Sequence, residues 1–185
     1  ASPAQISSRI RADGGRTWGQ PYTLQENVGK QNVMCVSLTR LDSAATSGPI
    51  GMFYLVQNSP SDAHMELRIS TDEGKTFGER INVTKPSGYW FANNDRVLLL
   101  SSGRLLMPVA GTPDQDKKDH YTSRVYFSDD DGKTWKAGKE DVDVSLRGAM
   151  EPDVVELKDG RVLMLIRTQM GQIYTALSPD GGDTW

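Results

Sequence analysis

The sequence predicts an all-β fold assembled from units that repeat every fifty to sixty residues, and three observations predict it. An eight-residue pattern, Ser-x-Asp-x-Gly-x-Thr-aromatic, occurs at 70–77, 128–135 and 178–185, with a fourth copy at 11–18 in which Arg11 replaces the serine. Its aspartates, Asp13, Asp72, Asp130 and Asp180, stand 59, 58 and 50 residues apart, a length that suits four short strands and their turns. Between the patterns, paired apolar runs recur around short glycine-bearing turns. No stretch longer than about ten residues carries apolar side chains at helical spacing.

Taken in order, residues 4–9 read as the third strand of a unit that the first eight-residue pattern closes. Residues 33–36 and 50–55 then form an inner strand pair joined by a long loop, 65–69 the third strand, and 79–83 a fourth strand beyond the second pattern. In the next unit 97–100 and 104–109 form a tighter pair around Ser101-Ser102-Gly103, and 122–127 the third strand. The last unit repeats this with 153–157, a Lys158-Asp159-Gly160 turn, 161–166, and 172–177 running into the fourth pattern. Each pattern reads as a hairpin turn in which the Asp carboxylate accepts backbone N–H groups, the Gly supplies a positive φ and the aromatic anchors the turn. Calcium ligation by these aspartates is not expected, because the EF-hand spacing and its closing Glu are missing.

Composition narrows the function. With 37% hydrophobic and 24% charged residues the chain can build a core, and its length suits one domain, 1–185. A net charge of −3 and no basic stripe argue against a nucleic-acid partner. There is no apolar run of about 20 residues to span a bilayer, and the N-terminus lacks the layout of a signal peptide. Cys35 stands alone in an apolar run and reads as core. It excludes an internal disulfide, and with two histidines a Cys/His metal site is not expected. Asn82-Val83-Thr84 fits a glycosylation sequon that carries little weight.

The four patterns resemble the Asp boxes, or BNR repeats, of sialidases and related β-propellers. The resemblance implies a sialidase-type β-propeller, six-bladed in that family, of which this chain covers about three blades. Both chain ends fall inside a blade, so the expectation is either a fragment of a longer propeller or two copies forming a homodimeric ring. The stretch 147–167 resembles a sialidase active-site hairpin, with Glu151 ahead of an apolar inner strand and Arg167 at the end of the next. In that family the matching Glu polarises a nucleophilic tyrosine and the matching Arg belongs to a three-arginine clamp on the sugar carboxylate. A guanidinium fork suits a carboxylate better than an ammonium does, and a tyrosine nucleophile keeps a second carboxylate away from an anionic anomeric centre. Glu151 and Arg167 are therefore the expected catalytic pair. Asn94, Asp95 and Arg96 at the preceding strand entry, Arg68 and Arg124 on third strands, and Arg147 are the expected substrate-binding residues; in the first unit Gln31-Asn32 takes the matching entry.

The early Arg, acid/base Asp, third Arg and late Tyr of the family have no counterpart in this stretch. The resemblance implies an exo-glycosidase for sialic acid or a related acidic sugar, with a glycan as its partner, no cofactor, and a secreted or periplasmic setting. Two alternatives stand beside it: a non-catalytic propeller that binds glycans or proteins, and a glycosidase of other specificity that uses Glu151 with Asp95.

Overall fold

The computed structural model describes residues 4–11, 13–42, 47–85, 88–112 and 119–185, so Ala12 of the first box and part of the long loop before residue 50 lie outside the described residues. Fourteen strands and no helix are found among them, and hence no helix able to cross a membrane. Strands β1 (Ile6–Ser8) and β2 (Tyr22–Gln25) pair around the first box. Then β3 (Asn32–Arg40), β4 (Ile50–Ser59), β5 (Asp62–Ser70) and β6 (Ile81–Asn82) make a complete antiparallel meander. The next blade has a divided inner strand, β7 (Tyr89–Phe91) and β8 (Leu98–Leu99), followed by β9 (Leu105–Thr112), β10 (Thr122–Ser128) and β11 (Lys136–Ala137). Finally β12 (Met150–Glu156), β13 (Val162–Arg167) and β14 (Tyr174–Ser178) form three strands of a third sheet.

The repeats thus become blades, and the blades explain why the middle strands lack a polar face. Along β4, Met52, Tyr54 and Val56 pack on the side of Ile6 and Val33, while Phe53 and Leu55 pack with Met65, Leu67, Leu105 and Met107 toward the next blade. In the same way Leu106 and Val125 face Val154, Val162, Met164 and Ile166 across the following interface. A strand between two neighbours buries both parities and reads as a continuous apolar run. Only one side of the third sheet is covered: Val155, Leu165 and Leu177 on its other face are 48%, 46% and 43% exposed.

The boxes behave as their residue types dictate. Asp72 Oδ1 accepts the backbone N–H groups of Lys75 and Thr76 at 3.1 and 2.9 Å, and Oδ2 accepts the Thr76 hydroxyl at 2.6 Å. The Ser70 hydroxyl donates to Asp72 and accepts from the Gly74 N–H, at 2.8 Å in both cases. Gly74, Gly132 and Gly182 carry φ of 78°, 85° and 90°, as the turn requires. At the first box Arg11 takes the serine's place and makes different contacts: its guanidinium carbon lies 3.9 Å from the Trp18 ring centroid and its Nε donates to the Thr17 carbonyl.

Two strand assignments change. The inner strand of the second blade begins at Tyr89 rather than 97, with Trp90 fully buried inside it, because residues 92–97 bulge out of the pairing. Glu151, expected just ahead of its strand, lies within β12, where the register slips between Met150 and Asp153.

Candidate functional site

Strand direction sorts the chain into two ends. Third strands run into the boxes, so the boxes lie at the end where β4 and β9 begin. The other end, the mouth, collects the starts of the inner strands, β3, β7 and β12, and the finishes of β4, β9 and β13. Glu151 and Arg167 both belong to it.

A recurrent backbone feature marks this end. The register of β3 slips between Met34 and Ser37, that of β12 between Met150 and Asp153, and residues 92–97 leave the ladder between β7 and β8. Each irregularity holds one non-glycine residue in the left-handed region: Cys35 at φ 58°, Asp95 at 57° and Glu151 at 48°. An L side chain there costs about 1–2 kcal/mol, and bulges re-aim the side chain they carry. Pro152, lacking an N–H, is accommodated in mid-strand by the same bulge.

Glu151 accepts a hydrogen bond on Oε1 from Arg167 Nη1 at 2.6 Å, across the pairing that sets Met150 opposite Arg167. The side chains are 34% and 58% exposed, so the pair adds little to stability and leaves both groups open to a ligand. One strand away, Arg96 Nη1 donates to Asp153 Oδ2 at 2.8 Å. The Arg96 backbone N–H donates to the Ser37 hydroxyl at 2.9 Å, and the Asp95 N–H to the Val36 carbonyl at 3.2 Å. These contacts tie three inner strands into one surface. Asn94 and Asp95 stand exposed on the turn at its rim.

Arg147 comes four residues ahead of Glu151, with its guanidinium carbon 5.5 Å from the centroid of the Tyr121 ring. Arg68 is elsewhere. Two residues before the box serine, it donates to the carbonyls of Phe77 and Gly78 and to the Gln25 side chain, so it joins two blades at the box end. Arg124 donates to both oxygens of Asp141 at 2.6 and 2.8 Å and lies 4.7 Å from the Trp90 ring centroid, on a third strand away from the Glu151 pair. The structure brings Arg96, Arg147, Glu151 and Arg167 to the mouth, places Arg68 at the box end, and engages Arg124 with Asp141 on a third strand.

Sequence reasoning missed three features. Cys35, read as core, does pack half-buried against the core, with burial pushing its thiol pKa up, but its place at the bulge that answers to Asp95 and Glu151 was not foreseen. The matching place in the first blade is therefore Cys35, not Gln31-Asn32, because the bulge sets the equivalence. Asp153 as partner of Arg96 was also missed, as was the group Tyr89, Phe91 and Tyr121, whose ring centroids lie 5.6–6.2 Å apart. Among the described residues no group of three acidic, His or Cys side chains could hold a metal.

The BNR repeat-like domain matches residues 3–185. A sialidase of Paraclostridium sordellii is 27% identical over 97% of this chain, and one of Micromonospora viridifaciens is 29% identical over 99%. The chain covers 49% and 31% of those proteins, about half their length or less. Among solved structures, a protein of unknown function from Dyadobacter fermentans superposes with a TM-score of 0.77 at 22% identity, over 97% of this chain and 56% of the other. The Trypanosoma rangeli sialidase in complex with sialic acid gives 0.76 at 19% identity, over 98% and 32%. These likenesses make the fold a sialidase-type β-propeller, of which the chain is a part.

Proposed function

The chain belongs to the family of BNR repeat-like domains, and on that premise we propose that it carries part of the active site of an exo-acting glycoside hydrolase releasing terminal sialic acid or a related acidic sugar from glycans. The observation that carries this reading is the Glu151–Arg167 pair, held on a bulged inner strand and its neighbour at the mouth. Arg167 gives one N–H to Glu151, and the rest of its fork is available to a sugar carboxylate in the bidentate geometry that guanidinium favours. Glu151 is the group that would polarise a tyrosine hydroxyl, making the phenol a competent nucleophile for a retaining reaction through a tyrosyl intermediate. The tyrosine, the acid/base and the remaining arginines are to be sought outside these 185 residues. The open apolar face of β12, β13 and β14 fits the neighbouring blade that such a remainder would supply.

A second reading has one observation in its favour. Asp95 occupies the same left-handed bulge position as Glu151, one blade earlier, so a carboxylate pair acting on a different sugar is the rival. Assay of the intact protein on a fluorogenic sialoside and, beside it, on fluorogenic neutral glycosides decides between them. Glu151→Gln and Arg167→Ala should each reduce kcat/KM at least roughly 100-fold, with Asp95→Asn far milder. Turnover that survives both changes would sink the proposal, and a loss confined to Glu151→Gln and Asp95→Asn would favour the rival. A folded protein that binds sialosides without turning them over would be a non-catalytic propeller.

A further inference from the structure

At the mouth the arginines differ in what neutralises them. Arg96 faces Asp153 and Arg167 faces Glu151, each at hydrogen-bonding distance. Arg147 faces no carboxylate among the described residues and is exposed, yet its surroundings are built. Its guanidinium lies on Tyr121, whose ring stacks on Tyr89 with centroids 6.2 Å apart and planes 25° apart, while Phe91 meets Tyr121 edge-on at 5.6 Å. The column runs from the start of β7 to the segment entering β12, so it spans two blades.

The backbone under Arg147 is fixed with equal care. Leu146 and Gly148 on either side have φ of 64° and 82°. His120 Nδ1 lies 2.8 Å from the Leu146 carbonyl, Tyr121 N–H donates to the Arg147 carbonyl at 3.0 Å, and Ala149 N–H donates to the Tyr121 carbonyl at 2.8 Å. A Cβ on Gly148 would stand 2.0 Å from the Tyr121 carbonyl oxygen, so the approach needs glycine. Strain held in place by surrounding bonds is the pattern of a binding position rather than of a loose surface charge. A guanidinium held over a ring and paired with no carboxylate among the described residues has N–H donors to offer a planar or tetrahedral oxyanion.

We infer that Arg147, carried on the Tyr121–Tyr89 column, is an anion-binding residue that receives a carboxylate or sulfate on the sugar adjoining the one cleaved. The inference deepens the proposed function, for it gives that site a preference for glycans with a second negative charge. Arg147 is then a specificity residue, separate from the Glu151–Arg167 pair.

The test is a solution titration of the intact protein with 15N-labelled arginine. The Nε–Hε signal of Arg147, identified by its absence in Arg147→Ala, is followed while sodium galacturonate, galactose 6-sulfate and neutral galactose are added. Saturable movement with either anion and none with galactose is expected, the tighter anion naming the preferred group. Tyr121→Leu, which removes the ring support, should weaken that binding several-fold. A signal that ignores both anions, or moves equally with galactose, overturns the inference. Hydrolysis of a fluorogenic sialoside, read on the same sample, separates the two claims. Anion binding at Arg147 without hydrolysis keeps the subsite and fails the sialidase reading, whereas hydrolysis with an unresponsive Arg147 does the reverse.

Discussion

Gly148→Ala and Gly160→Ala form a pair of substitutions whose backbone strain is matched and whose surroundings are not. The two glycines have φ of 82° and 84°, so alanine meets the same left-handed penalty at each, about 1 kcal/mol. At Gly160 an added Cβ meets nothing within 4 Å. At Gly148 it would lie 2.0 Å from the Tyr121 carbonyl oxygen and 3.0 Å from the carbon and nitrogen of the same residue, all backbone atoms that cannot rotate aside. Relief requires the chain entering β12 to part from Tyr121, which breaks the Tyr121 N–H to Arg147 and Ala149 N–H to Tyr121 hydrogen bonds. At about 1 kcal/mol each, these bring the expected cost of Gly148→Ala to about 3 kcal/mol, against about 1 kcal/mol for Gly160→Ala. Urea unfolding measures both. For a domain of this size the difference corresponds to a Tm separation of roughly 4–8 °C. Equal losses would show that φ alone governs the two sites and that the close approach of the segments is not as described. A second readout is local: Gly148→Ala, unlike Gly160→Ala, should abolish the anion response of Arg147.

Other perturbations reach the boxes, the interfaces and Arg68. Hydrogen bonds from the Thr76 hydroxyl and backbone, with help from Ser70, hold Asp72 at about 2; for Asp180 burial is the largest single influence and acts upward, yet the combined hydrogen bonds from the Thr184 backbone and hydroxyl, Ser178 and the Asp183 backbone outweigh it and hold the carboxyl at about 2. Because these folded pKa values lie below the ordinary carboxylate value, the stabilisation is present above about pH 4 and is lost as pH falls toward 2. The urea midpoint should drop through that window, and less steeply in Asp72→Asn; parallel curves for parent and variant would sink this account. Met164→Ala, in the fully buried interface between the second and third blades, should cost about 2–5 kcal/mol by chemical denaturation. Arg68→Ala should lower stability by loosening the blade-to-blade contacts with Gln25 and the box, with kcat/KM on the sialoside within about twofold of the parent. A tenfold loss of turnover in that variant would return Arg68 to the substrate site.

How much of this was legible follows from where each signal resides. A box is written in eight consecutive residues, and the bonds that shape its turn are local, from the Ser70 hydroxyl at Gly74 N–H to the Asp72 carboxylate at Thr76. Turn chemistry of that kind survives any tertiary arrangement, so blade count and strand order could be read directly. Glu151 and Arg167 were legible as well, being sixteen residues apart across one hairpin. Contacts between blades were not. The Arg96–Asp153 pair joins positions 57 residues apart, and Arg147 reaches Tyr121 only through an isolated parallel bridge between Tyr121 and Gly148. For Arg68 a signal did exist: its position two residues before a box serine places it at the end of the strand away from the inner-strand starts.

The bulges show how a repeat fold can change its chemistry without changing its architecture. Cys35, Asp95 and Glu151 share one backbone conformation, yet one is a half-buried thiol, one an exposed carboxylate and one a carboxylate paired to an arginine. The strain is the same in kind for all three, so the left-handed bulge belongs to the blade and the side chain belongs to the site. A bulge that only terminated pairing would be met most cheaply by glycine, the residue with no penalty there. Glycine stands at none of the three, and in the box turns too non-glycine residues, Glu73 at φ 61° and Asp131 at 59°, take this conformation just ahead of the glycines. The backbone cost is therefore common to turn and bulge, and what distinguishes Glu151 is the hydrogen bond that its bulge lets it accept from Arg167, while Asp95, exposed at the equivalent bulge, is the first position to substitute if the sugar turns out not to be acidic.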